Sequence, residues 1–105
     1  YKKNIQNNRI ITQKIVKDNY NVYHQYTIRV KNRKKFTSYL QEHNIPFGIY
    51  YPKPLYMQKA FNGIIKVKKL PNVEKICKEC ISLPIYPELD NPSIEYISSI
   101  INKYK

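Results

Sequence analysis

The chain has no tryptophan, only two glycines and only two cysteines, and each scarcity closes off a class of chemistry. With Gly48 and Gly63 alone, a glycine-rich phosphate loop cannot be built, because such loops need several positions where backbone amides approach phosphate unhindered. Cys77 and Cys80 cannot make the disulfide framework of a small secreted domain. Their C-x-x-C spacing would need two more ligands to hold zinc, and His24 and His43 lie far away without finger-like spacing. Arginine occurs only at Arg9, Arg29 and Arg33, so bidentate readers of phosphate or guanine are few. No apolar run approaches the roughly 18–20 residues that span a bilayer, and the N-terminus is not of secretory type. The expected compartment is the cytoplasm, with no membrane partner. The first residue is Tyr1 and the only methionine is Met57, so a piece of a longer or processed polypeptide is expected.

Conventional catalytic groupings are also missing. Ser38, Ser82, Ser93, Ser98 and Ser99 have no G-x-S-x-G context. Glu74, Glu79, Glu88 and Glu95 occupy helical or loop positions that read as solvent-facing and unpaired. Cys77 and Cys80 fall within an apolar stripe, where they read as core thiols.

What the chain has in quantity is lysine, asparagine, isoleucine and tyrosine, with a net charge of +12 and eleven tyrosines in 105 residues. That length allows one domain with a modest core. The charge admits a small basic nucleic-acid-binding module. Lysine dominance and a compositional bias spread along the whole chain favour a solvated surface instead, so nucleic acid is not the expected partner.

Residues 1–12 read as a frayed or irregular lead-in. Asp18, Asn19 and Asn21 favour a turn, since their side chains bond nearby backbone. From Val22 to Val30 the pattern has period two, with Val22, His24, Tyr26, Ile28 and Val30 on one face, which predicts a half-buried strand. Asn32 can cap a helix whose face carries Phe36, Tyr39, Leu40 and His43 and which ends near Asn44, before Pro46. Phe47–Tyr51 predicts a second strand stopped by Pro52 and Pro54, with Gly48 allowing close approach. Leu55–Phe61 predicts a helical turn, and the run from Asn62 to Lys69 a loop. Pro71-Asn72 opens a helix whose stripe runs through Val73, Ile76, Cys77, Cys80 and Ile81. Ser82–Pro87 predicts a short edge strand. Asn91-Pro92 caps and starts a last helix marked by Ile94, Ile97, Ile101 and Tyr104.

One stretch points to binding. Tyr50, Tyr51 and Tyr56 interleave with Pro52, Lys53 and Pro54. Stiff aromatics beside a cation suit stacking on a base or sugar and contact with phosphate. The same tyrosines could equally pack back on the domain. His24, alone on its strand face, reads on composition as a core or interface group.

Ordered blocks run along the chain: Tyr23-His24-Gln25-Tyr26-Thr27-Ile28-Arg29, then Asn32-Arg33, Leu40, Asn44-Ile45-Pro46, Tyr50–Phe61, Leu70–Glu74 and Ser82–Pro87. Together they resemble the C-terminal domain of sugar aminotransferases of the DegT/DnrJ/EryC1/StrS family, over residues 20–105. Residues 1–19 would then be a lead-in from an upstream domain. The resemblance implies an α/β domain with a small, mostly antiparallel sheet and helices on one face, as in aspartate-aminotransferase-fold enzymes. It implies a pyridoxal-phosphate enzyme moving an amino group from an amino acid to a nucleotide-linked keto-sugar, in a homodimer. The Schiff-base lysine would lie in a large domain outside this chain, so no catalytic residue and no cofactor are expected for the chain alone, which could also be an inactive gene remnant. The resemblance further implies that Tyr50–Phe61 is a loop covering the sugar-nucleotide site and that His24 and Tyr26 lie on the strand beside it. His24, Tyr26, Tyr50, Tyr51, Lys53 and Tyr56 are the expected substrate-binding residues. The family often has histidine where Tyr56 stands, and a tyrosine carries no positive charge there.

Overall fold

The computed structural model describes residues 1–61, 63–66 and 69–105. In chain order it contains β1 (Ile10–Ile11), β2 (Tyr26–Val30), α1 (Arg33–Glu42), two single-turn 3-10 helices (Leu55–Met57 and Lys59–Phe61), α2 (Pro71–Glu79), β3 (Cys80–Leu83) and α3 (Asn91–Lys103). The strands form one antiparallel sheet in the order β1-β2-β3, the α/β class expected.

Period two in β2 sorts its side chains. Tyr26, Ile28 and Val30 are buried, while Thr27 and Arg29 are half-buried on the opposite face. The register pairs Ile28 with Ile81 and Tyr26 with Leu83, so β3 adds to the same apolar face. Phe36 and Leu40 from α1 and Ile97, Ile100, Ile101 and Tyr104 from α3 complete the core. The other face is polar. Thr27 and Ser82 share a hydrogen bond of 2.9 Å, and Arg29 holds Glu79 at 2.7 Å. Glu79 is therefore a buried ion-pair partner rather than a solvent-facing carboxylate.

Helix α1 is bounded by its own residues. The Asn32 side chain accepts from the Lys35 amide. At the other end Asn44 adopts φ +55°, the Asn44 amide bonds Gln41 O and the Ile45 amide bonds Leu40 O. That is a Schellman closure with asparagine in the left-handed position and buried Ile45 and Leu40 as its hydrophobic contact. The stop is built before Pro46 is reached. In α3 the cap is Asp90, one residue earlier than expected, with its carboxylate accepting from the Ser93 amide.

Four expectations fail in instructive ways. The strand expected from Val22 begins only at Tyr26, because the Asn21 side chain accepts from the Tyr23 amide and Tyr23 takes φ +48°. Phe47–Tyr51 makes a single bridge, Gly48 to Ser82, rather than a strand, for Pro46 and Pro52 have no N–H to extend it. The apolar stripe begun at Val73 does not continue as helix. Cys80 turns to extended backbone (ψ 140°), so Cys80 and Ile81 open β3. That strand is at the edge of the sheet, as expected, and its outer side carries the single Gly48 bridge at Ser82. Finally, residues 1–11 are not frayed. Ile5 and Ile10 join the core, and Ile10 pairs with Val30. Asn7 donates to the Ile101 and Tyr104 carbonyls at the end of α3, and the Tyr1 hydroxyl donates to Pro84 O at 2.9 Å. Burial, then neighbouring Tyr86 and Tyr26, push the Tyr1 phenol up to about 12. The loop expected from Asn62 to Lys69 lies partly outside the described residues.

Candidate functional site

Where β2 begins, β3 ends and the Gly48 bridge passes, three segments leave an open groove of about 430 Å³. The bend before β2 supplies His24 and Gln25. The bridged segment supplies Phe47 and Tyr50, and the chain after β3 supplies Ile85 and Tyr86. His24, read from its strand position as a core group, is exposed, because the strand has not yet begun there. Tyr50 and Tyr86 are 50% and 54% exposed. Rings with free faces, an imidazole and an amide around one concavity suit a planar polar ring, held by stacking and a few hydrogen bonds.

Of the six expected substrate-binding residues, His24 and Tyr50 share this groove. Tyr26 does not reach it. It is 5% exposed, lies 4.9 Å from the Tyr1 ring and 5.5 Å from the Tyr23 ring, and lines a neighbouring cleft that also touches Ile85 and Tyr86. Burial, then Tyr23, raise its phenol above the usual value. Tyr51 and Lys53 are exposed, with the Tyr51 ring edge-on to Tyr50; the intervening peptide is cis. Tyr56 turns toward α2 and donates to the Glu74 carboxylate at 3.0 Å. Its phenol is raised by burial first and by that bond second. Gln25, Phe47, Ile85 and Tyr86 were not singled out from the sequence. Only their pairing partners in the sheet bring them together, and a local pattern does not carry that information.

The serine hydroxyl that lines the groove already has a partner. Ser82, at its floor, is committed to Thr27. Cys80 is buried, and burial raises its thiol despite the nearby Arg33 guanidinium. Arg33 itself donates to the Cys77 and Cys80 carbonyls, closing the end of α2. Among the described residues no cluster of three metal-ligating side chains exists, and no helix is long and apolar enough to cross a membrane. Every described lysine is exposed. A lysine that forms a Schiff base with pyridoxal phosphate needs a dry, carboxylate-supported site to present a neutral amine. The described lysines do not fit that requirement, so no chemical step through the cofactor is derived from them.

Comparison with known proteins gives a consistent context. A model of the DegT/DnrJ/EryC1/StrS aminotransferase family matches residues 1–102. The chain is 38% identical over 96 residues, 90% of its length, to the pleiotropic regulatory protein of Geobacillus stearothermophilus. It is 35% identical over 104 residues, 99% of its length, to the dTDP-3-amino-3,6-dideoxy-alpha-D-galactopyranose transaminase of Aneurinibacillus thermoaerophilus. The crystal structure of S. venezuelae DesV in complex with a ketimine intermediate superposes with a TM-score of 0.84 over 90% of the chain, at 26% identity. The chain spans 26%, 28% and 26% of those three proteins respectively.

Proposed function

This chain belongs to the DegT/DnrJ/EryC1/StrS aminotransferase family, and from that membership we propose that it is the C-terminal, substrate-covering part of a pyridoxal-phosphate-dependent nucleotide-sugar aminotransferase. Residues 20–105 carry most of that domain, and residues 1–19 lead into it from a large domain that carries the cofactor while lending β1, Ile5 and Ile10 to its sheet and core. The substrate is a nucleotide-linked keto-sugar, the amino donor an amino acid, and the working assembly a homodimer. We assign no cofactor and no catalysis to the 105 residues alone. The two free thiols suit a reducing compartment, and the cytoplasm is the location we assign.

The observation that carries this reading is the groove. A member of this family, spanning about a quarter of its relatives' length, brings two expected substrate residues, His24 and Tyr50, to one aromatic-walled concavity. In the proposed role Tyr50 and Tyr86 stack on the flat part of the nucleotide or sugar, and His24 and Gln25 hydrogen-bond its polar edge. Tyr51 and Lys53, exposed and outside the groove's lining, meet the diphosphate when the Tyr50–Phe61 loop closes. Nuclear magnetic resonance titration of the isotope-labelled chain with dTDP-glucose and UDP-N-acetylglucosamine tests this. Shift changes centred on His24, Gln25, Phe47, Tyr50 and Tyr86 are expected for at least one probe. Changes confined to scattered lysines, or none at millimolar probe, overturn the proposal.

A further inference from the structure

The groove's wall at Tyr50 depends on an atom that is absent next to it. Gly48 is clamped to β3 in both directions: its amide donates to Ser82 O at 3.0 Å and its carbonyl accepts from Ser82 N at 2.8 Å. Ser82 is buried and anchored in turn by Thr27, so the Gly48 backbone has nowhere to retreat. The phenolic end of Tyr50 lies on the side where a side chain would project. A Cβ added at Gly48 would stand 2.4 Å from Tyr50 Cε2, 2.8 Å from Cζ and 2.9 Å from the hydroxyl oxygen, well inside van der Waals contact. The requirement is for space alone, because Gly63 is the glycine with positive φ and Gly48 is not. An alanine would keep the backbone and the bridge and expel the far end of a half-exposed ring.

We propose that Gly48 is a positioning residue for substrate recognition: by lacking a side chain it leaves room for the phenolic end of Tyr50 beside the sheet, which sets that ring's place in the groove wall for a planar ring of the nucleotide sugar. Its consequence for binding rests on the reading of the groove given above; the seating of Tyr50 does not. Gly48 touches Tyr50 and acts through it. A spectroscopic measurement reads the seating and a binding cycle reads its consequence.

In the unliganded chain a nuclear Overhauser contact is expected between a Gly48 α-proton and the Tyr50 ε-protons. Tyr50→Phe, which keeps the ring, preserves the contact. Absence of the contact in the starting chain would overturn the seating, whether or not any probe binds. For the consequence, Gly48→Ala should weaken dTDP-glucose or UDP-N-acetylglucosamine binding by roughly tenfold, the scale of one lost base–aromatic stack. It should do so only while Tyr50 is present, with no further loss in a Tyr50→Ala background. Equal losses in both backgrounds would overturn the positioning role. An unchanged Ser82 amide shift in Gly48→Ala shows that the bridge survives, and a shifted one counts against the proposal. If neither probe binds the starting chain, the function proposed for the groove fails while the Overhauser measurement still decides the seating.

Discussion

Helices α2 and α3 look alike as sequence and behave differently as structure. Each has a proline in its first turn and an isoleucine-bearing stripe at helical spacing. In α3 the stripe is used: Ile97, Ile100 and Ile101 are between 0% and 7% exposed, against the sheet and α1. In α2 the stripe is left open, with Val73 and Ile76 at 40% and 44% exposure and Leu70, just before the helix, at 42%. Their ends differ too. The Asp90 side chain caps α3 at its start and Asn7 closes its end. The start of α2 has no side-chain cap among the described residues, and its last carbonyls depend on Arg33. An amphipathic pattern records that a face wants cover. It does not record whether the cover is in the same chain.

Three experiments break or sharpen that contrast. The largest effect is expected at the stripes. Ile101→Ala, at a site with no exposed surface, should cost about 2–5 kcal/mol of unfolding free energy, a large part of the roughly 5–15 kcal/mol of a typical domain. Ile76→Ala should stay within about 0.5 kcal/mol. Urea denaturation of both variants checks this, and equal losses would show α2 packed as firmly as α3. Next comes Arg33→Ala, which strips a cation from the end of α2 and should cost roughly 1.5–3 kcal/mol. Hydrogen exchange should accelerate first at the amides of the last turn of α2, while those of α3 stay protected. The smallest effect is at Asp90. Its hydrogen bonds to Ser93 hold the carboxyl below the usual aspartate value. A carboxyl lowered in the folded state stabilises above its unfolded value, and that contribution fades as pH falls through the lowered one. Asp90→Ala should therefore melt earlier than the parent near neutral pH, and the two melting temperatures should converge in acid. A gap that persists in acid would assign the cap to something other than the carboxylate.

What was legible in the sequence follows the range of the interactions involved. The alternation Tyr26-Ile28-Val30, the Asn32 cap and the Ile97–Ile101 face are local, and each formed as its spacing indicated. Cys80-Ile81 continued a helical stripe equally well on paper. Pairing with Arg29 and Ile28, some fifty residues away, decides for strand. Residues 1–11 carry little periodicity, so nothing local announced that Ile5 and Ile10 would close the core. The Schellman stop at Leu40–Ile45 is also local, since asparagine tolerates left-handed backbone, and Pro46 marks the same boundary by a different constraint. For the groove, Tyr50 belongs to the aromatic, proline-flanked stretch that reads as a binding candidate, and His24 follows from the resemblance. Gln25, Phe47 and Tyr86 became visible only once β2, β3 and the Gly48 bridge were in place.

The ties between the N-terminal segment and α3 set an order for biosynthesis. Asn4 and Gln6 bond Asn102, and Asn7 bonds Ile101 and Tyr104, across separations of 94 to 98 residues. A ribosome releases these 105 residues N-terminus first, over on the order of 5–20 s. For part of that interval Ile5 and Ile10 are outside the ribosome and the helix that covers them is not. The β1–β2 pairing forms an incomplete sheet, with an apolar face open to other chains, until the last turn of α3 emerges. Within these 105 residues the N-terminal segment is made before the helix that buries it, and in those seconds its apolar side chains are open to aggregation.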